Sequence, residues 1–175
     1  GPSDGDFGFW VKFNYVKIDS NYQWRAPFLG ANLNKGQLST IEDDKASYMF
    51  GEREEWYLAS AETKTHIAEF TVTERDDNHG AASEFQNESF LKSDFQLAKS
   101  YRLEKVSLFS KLELLQANPK AILTVDLSYN YGLCLNAPNN KDYTPFLSDP
   151  NQANAQSGKL TLESVKFTHE NSTRG

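Results

Sequence analysis

The densest set of side chains able to do chemistry lies between Trp56 and Gly80, in "WYLASAETKTHIAEFTVTERDDNHG". It holds His66, Glu69, Asp76, Asp77 and His79. Imidazole and carboxylate groups ligate zinc when a fold brings them together at helical or cross-strand spacing. Glu62 and His66 stand four residues apart, which would suit a helix, but the segment alternates like a strand and the spacing brings nothing together. His66 therefore reads as the first residue of a strand, after the polar tip "ETKT". Glu74, Asp76, Asp77 and Asn78, ahead of Gly80, supply the oxygen atoms that Ca²⁺ prefers. They lack the EF-hand spacing, with no run of aspartates at alternate positions and no glutamate closing the loop. They read first as a solvated turn and second as a Ca²⁺ site on Asp76 and Asp77. The run Glu42-Asp43-Asp44 reads in the same order, because charge runs usually lie on solvated faces.

Other reactive groups are scattered. Cys134 follows one strand and His169 follows another, with no nucleophile-elbow or cysteine-protease pattern around them. A free cysteine is more often a small buried hydrophobe. Carboxylates are plentiful, but a glycosidase needs two of them facing across a cleft, and their number alone says nothing of that. No glycine-rich phosphate loop is present. No catalytic residues are assigned and no cofactor is called for. Tyr22 and Trp24, in "NYQWRAPF", are the candidate ligand-binding residues. Aromatic rings on a β-domain can stack on sugars while Asn, Gln and Asp orient them, and covering a core edge is the competing role. Trp10 and Trp56 lie on strands and read as packing residues.

The elements around these residues are strands. "FWVKFNYVKI" sets Phe9, Val11, Phe13 and Tyr15 on one face and Lys12 and Asn14 on the other. "AILTVDLSYNY" alternates Ala121, Leu123, Val125, Leu127, Tyr129 and Tyr131 with polar residues, the period of a half-buried strand. "HIAEFTVTE" turns Ala68, Phe70 and Val72 inward. Residues 21–44 and 136–158, rich in Asn, Gly and Pro, read as surface loops. Residues 83–100 are ambiguous between a short helix and irregular chain. "SKLELLQAN" predicts a helical turn that stops before Pro119.

Three segments repeat: "LASAET" from Leu58, "LEKVSL" from Leu103 and "LESVKF" from Leu162. Their apolar residues fall at the first, fourth and sixth positions instead of the first, third and fifth. A single-residue slip of that kind is what a β-bulge produces. The first two copies are each followed by a connector and an alternating strand, and the third meets the chain end. The repeat thus reads as strand, connector, strand, with the last unit truncated, and repeated hairpins that cannot bury a face alone suggest a stacked or wrapped β architecture. The first segment's Trp56, Leu58, Phe70 and Val72 are expected to face a core, with a turn at Thr63 to Thr65.

Composition agrees with one β-rich domain over residues 4–175. The 175 residues can bury a core, and 13% aromatic content favours pleated sheet. A net charge of −6 argues against nucleic acid, which needs a basic stripe. One cysteine rules out an internal disulfide, and no apolar run is long enough to be a membrane-spanning helix. Residues 1–3, Gly-Pro-Ser, read as the remnant of a cleaved expression tag, and the domain is expected to be part of a larger protein.

"GEREEWYLASAETKTHIAEF", "YRLEKVSLFSK", "VDLSYNYGLCLNAPNN" and "GKLTLESVKFTHENSTRG" resemble segments of very large secreted Bacteroidetes proteins similar to the Rhs/YD-repeat and toxin-shell families. Leu162-Glu163-Ser164-Val165 matches the first strand of that pattern and Leu127-Ser128-Tyr129 the second. The Tyr-Asp dipeptide is missing and the connectors are longer. The resemblance implies a β shell or scaffold without catalysis, extracellular or on the cell surface, whose partners are neighbouring domains of the same polypeptide. The fold expected is all-β, a β-sandwich or open curved antiparallel sheet of repeated hairpins with one or two short helices. The function expected is that of a structural or adhesion module. A carbohydrate-binding β-sandwich, its partner a glycan or protein ligand, is the alternative and a hydrolase the third choice.

Overall fold

The structure, a computed structural model, describes residues 3, 5, 8–26, 49–81, 98–135 and 158–169. They form a single open sheet of six antiparallel strands in sequence order. The strands are β1 (Lys12–Ala26), β2 (Met49–Glu62), β3 (His66–His79), β4 (Lys99–Ser110), β5 (Leu123–Leu133) and β6 (Lys159–Thr168). The fold is all-β, and of the two expected forms the described residues adopt the open sheet. The predicted turn at Thr63 to Thr65 is present: the Thr63 N–H donates to the His66 carbonyl at 2.9 Å, closing the β2–β3 hairpin. The predicted turn before Pro119 is a single 3₁₀ turn at Glu113–Leu115. Residues 82–97, which carry most of the ambiguous segment, lie outside the described residues, as do Glu42, Asp43 and Asp44.

The pairing is uneven. β1 meets β2 from Lys12–Glu62 down to Ala26–Met49, whereas β2 meets β3 only at Ser60 to Glu62. β4 likewise meets β5 only at Lys105 to Leu108, while β5 runs beside β6 from Thr124–Thr168 to Leu133–Lys159. The sheet is therefore three long hairpins, β1–β2, β3–β4 and β5–β6, fused along short joints.

The predicted slip is real and recurs in every hairpin. Tyr15 pairs with Leu58 directly after Asn14 pairs with Ser60, leaving Ala59 surplus. Val72–Leu103 follows Thr71–Lys105 and leaves Glu104 surplus. Tyr129–Leu162 follows Ser128–Ser164 and leaves Glu163 surplus. In each, the extra residue is the second of the repeated segment. Opposite it, Asn14, Thr71 and Ser128 recur at one interval of 57 residues. This corrects the predicted unit. Each repeated segment is the second strand of a hairpin whose first strand precedes it, so the described sheet holds three whole units and no truncated one. The reason is pairing length: the partner that shares the bulge also shares the long ladder.

Directly opposed residues point to one face of a sheet. By register, Phe13, Ala61, Ala68, Leu108 and Leu123 form one row on a face, and Phe70, Val106, Val125 and Phe167 form the next. The other face carries Asn14, Ser60, Glu69, Ser107, Thr124 and Thr168. The bulge at Glu163 keeps Leu162 on the side of Val165 and Phe167, where strict alternation would have turned it to the polar face. Among the described residues the expected core is not there. Phe70, Val72 and Leu58 are only half-buried and Trp56 is 52% exposed. Among the described residues the buried apolar side chains are Tyr22, Ala81 and Ala121. Amphipathic alternation needs only that one face be apolar, and nothing described packs on that face.

Candidate functional site

Below the short joints the hairpins are held by side chains instead of ladders. The centre is Glu55 of β2, 6% exposed. Its Oε1 accepts from Arg53 Nε at 3.1 Å and from Ser100 Oγ at 2.9 Å, and Arg53 Nη2 also donates to it. Its Oε2 accepts from the Tyr57 hydroxyl at 3.1 Å. That hydroxyl in turn accepts from the Tyr101 N–H at 2.8 Å, and the two tyrosine rings meet edge to face at 5.5 Å. Asn78 Nδ2 donates to Ser100 Oγ at 2.9 Å, and the Tyr22 hydroxyl donates to the Asn78 carbonyl at 3.1 Å. The network joins β1, β2, β3 and β4. Burial pushes the phenols of Tyr22 and Tyr57 above their ordinary range.

A second carboxylate, Asp77, plays the same part between β3 and β5. Arg75 grips it with two bonds, Nε to Oδ1 at 2.9 Å and Nη2 to Oδ2 at 2.8 Å. The Tyr131 hydroxyl donates to Oδ1 at 3.2 Å. Burial alone would raise the Asp77 pKa, but the Arg75 bonds and charge overcome it and the net shift is downward. Beside it the Arg102 guanidinium lies 5.1 Å from the centre of the Tyr129 ring. Such charge-assisted forks hold both partners in one geometry.

Arg53-Glu54-Glu55 and Arg75-Asp76-Asp77 are thus the same device. The arginine binds the acid two residues on, which the strand period places on its own face, and the side chain of that acid is buried, 7% exposed in both. The acid between them points the other way and meets a lysine. Glu54 pairs with Lys17 at 2.8 Å, and Asp76 lies 3.8 Å from Lys99. Sequence reasoning missed Arg53, Glu55, Tyr57, Ser100 and Tyr131. An arginine two residues before an acid, within an alternating strand, was the available signal.

This geometry places the sequence-predicted residues differently from expectation. Asp76 and Asp77 lie on a strand, not on a solvated turn, because β3 continues to His79. Between Glu74–Tyr101 and His79–Lys99, five steps of β3 are spanned by two of β4, so the extra residues bulge out of the ladder. Asp77 is already committed to Arg75 and Tyr131, and among the described residues no group of three or more His, Cys, Asp or Glu could hold a metal ion. Tyr22 and Trp24 lie on a strand and not in the expected loop, because β1 extends through Ala26, with Tyr22 opposite Arg53 and Trp24 opposite Gly51. Register shifts between Lys17 and Tyr22 hide this strand from a period-two reading. Tyr22 is 1% exposed, with the Arg53 guanidinium 4.6 Å over its ring, so it has no free face for a sugar. Trp24 is half-buried and its indole crosses Gly51 so closely that a Cβ there would stand 2.8 Å from the ring. Thr124, one of the polar residues that alternate along β5, is buried. Cys134 is exposed in a left-handed conformation (φ 55°) just past β5.

Trp56, expected to face a core, is instead an exposed aromatic group. Its Nε1 donates to Glu54 Oε2 at 2.9 Å, and Lys17 Nζ lies 5.0 Å from its ring. Tyr15, 60% exposed, stands diagonally across on β1. An open groove of about 420 Å³ lies where β4 and β5 part, lined by Thr71, Glu104, Lys105, Asp126, Leu127 and Ser128, with Lys105 and Asp126 paired at 3.3 Å.

No family of known proteins, no characterised protein and no solved structure matches the chain. The class that fold and site define is an open, three-unit β sheet whose buried polar groups bind one another.

Proposed function

We propose that the chain is a non-enzymatic structural or adhesion module, a Rhs/YD-like β scaffold within a larger secreted or cell-surface bacterial protein. The observation that carries this reading is the commitment of the buried carboxylates. Catalytic acids and bases must reach a substrate. Glu55 and Asp77 instead spend their oxygens on neighbouring strands, tying one hairpin to the next. The tiling of three like hairpins, with an apolar face and two unpaired sheet edges among the described residues, suits a segment completed by neighbouring domains. The test is hydrogen exchange on the chain alone and on the chain joined to its native flanking sequence. Amides of β1 and β6 should slow by more than about tenfold in the joined protein. Equal rates in both would overturn the reading.

A second reading, carbohydrate binding, is favoured by Trp56. The ring is exposed, oriented by Glu54 and Lys17, and joined on its face by Tyr15. This moves the sugar-stacking candidate from Tyr22 to Trp56, with Trp24 secondary. Tryptophan fluorescence titrated with a panel of glycans should respond, and Trp56→Ala should abolish the response. A silent panel, or a response intact in Trp56→Ala, would remove this reading.

A further inference from the structure

The two joints between hairpins obey one rule. At the first, Ser60 pairs with Glu69, Ala61 with Ala68 and Glu62 with Ile67. At the second, Lys105 pairs with Asp126, Val106 with Val125, Ser107 with Thr124 and Leu108 with Leu123. Ser60 and Lys105 each follow directly on the surplus bulge residue, and Glu69 and Asp126 are 57 residues apart, the interval of the hairpins themselves. Each joint therefore starts at the residue after the bulge and meets a fixed position on the next odd strand. The residue after the third bulge is Ser164 on β6, whose outer edge has no partner among the described residues. Going back 57 residues from Glu69 reaches Lys12, at the start of β1, the other edge without a partner among the described residues.

We propose that β6 receives the start of β1 from a second copy of the chain, in the register Ser164–Lys12, Val165–Val11, Lys166–Trp10 and Phe167–Phe9. The inference rests on the scaffold reading and adds to it a partner and a register. Strand direction fits, since β6 runs opposite to odd strands throughout the sheet. Side-chain chemistry fits as well. Val165–Val11 repeats the Val106–Val125 pair of the second joint, and Phe167–Phe9 replaces its Leu108–Leu123 pair. Phe9, Val11, Val165 and Phe167 are all exposed, at 109%, 54%, 41% and 64%. By alternation all four lie on the apolar face, so the joint extends that face from one copy to the next. The edge that receives is distinct from the edge that inserts, so the contact is head-to-tail and leaves both ends of the assembly open.

Two edge variants test this. Phe9→Asp with Val11→Asp spoils the inserting edge, and Val165→Asp with Phe167→Asp spoils the receiving edge. Sedimentation of the unaltered chain over about a hundredfold range of concentration should give a mass that climbs past two copies without a plateau. Each variant alone should be monomeric, with association weakened by more than about tenfold. Mixed in equal amounts, the two should form a dimer and nothing larger, because each keeps one intact edge. A chain that stays monomeric throughout overturns the proposal. So does a dimer that survives in the Phe9/Val11 variant, which would mark a two-fold contact of β6 with itself, or of face on face. Circular dichroism checks that both variants keep their sheet. If one does not, the mixing is repeated with Phe9→Lys and Phe167→Lys, and failure of that pair to form a dimer likewise overturns the proposal. A chain that is monomeric, yet protected at its edges when joined to its native flanks, sinks this inference alone and leaves the scaffold reading intact.

Discussion

Ser100 Oγ donates to Glu55 Oε1 across 2.9 Å, at a level where the backbones of β2 and β3 no longer pair. The bond joins the first hairpin to the second, and both residues are buried, at 4% and 6% exposure. Ladder hydrogen bonds hold the upper sheet. Below, the strands splay, and a carboxylate with four donors takes over.

Glu55→Ala should therefore destabilise the chain strongly. Arg53, Tyr57 and Ser100 lose a shared acceptor, and Ser100 has little access to water. Arg53 is half-exposed, which softens its loss. A cost of about 2–4 kcal/mol is expected in a urea titration. Glu69→Ala, on an exposed strand position, serves as control and should fall within about 0.5 kcal/mol. Equal effects from the two would show that the network holds nothing together.

Acid should loosen the sheet through two carboxylates. Lys111, Asn14 and Lys12 hold Glu62 well below its ordinary 4.5, at about 2. Arg75 likewise holds Asp77 below its ordinary range, against the effect of burial. A carboxylate with a depressed folded pKa stabilises the fold above its unfolded pKa, and that contribution fades as pH falls through the folded value. The urea midpoint should thus fall between pH 4.5 and about 2. In Glu62→Gln and in Asp77→Asn the fall should be shallower, starting from a lower midpoint at neutral pH. A slope in this window unchanged by both substitutions would contradict the assignment.

The bulge makes a sharper prediction about register. Deleting Glu163 leaves Leu162, Val165 and Phe167 on their present face, since the surplus residue is the one removed. Deleting Val165 turns Lys166 toward the apolar face. The first deletion should cost less than about 1 kcal/mol and the second at least about 2 kcal/mol, read from thermal unfolding. The reverse order would refute the bulge assignment.

Gly158 stands where a Cβ would collide with the Tyr131 carbonyl oxygen. Backbone cannot yield as a flexible side chain can. Gly158→Ala should cost about 1–3 kcal/mol, and hydrogen exchange should quicken first at the lower end of β5 and β6. An unchanged melting temperature would show that the approach is not as close.

Much of the fold was written in local pattern. Alternation in "AILTVDLSYNY" and "HIAEFTVTE" announced β5 and β3, and "ETKT" announced the turn from β2 into β3, because strand period and turn chemistry act over a few residues. The apolar residues at first, fourth and sixth positions of "LESVKF" announced the bulge before any partner strand was known, since only a slip keeps all three on one side. The lower half of β1 was not legible, because irregular register between Lys17 and Tyr22 breaks its alternation.

The amino-acid order by itself determined that this protein is a set of like, bulged hairpins with one apolar and one polar face. It could not settle which strand each repeated segment pairs with, since pairing is a choice among distant partners made by the longest compatible ladder. Nor could it tell a buried acid from an exposed one in "REEW" and "RDDN". Glu54 and Glu55 are chemically alike and adjacent. Only the close approach of Ser100, from β4, buries the second and leaves the first to Lys17 and water.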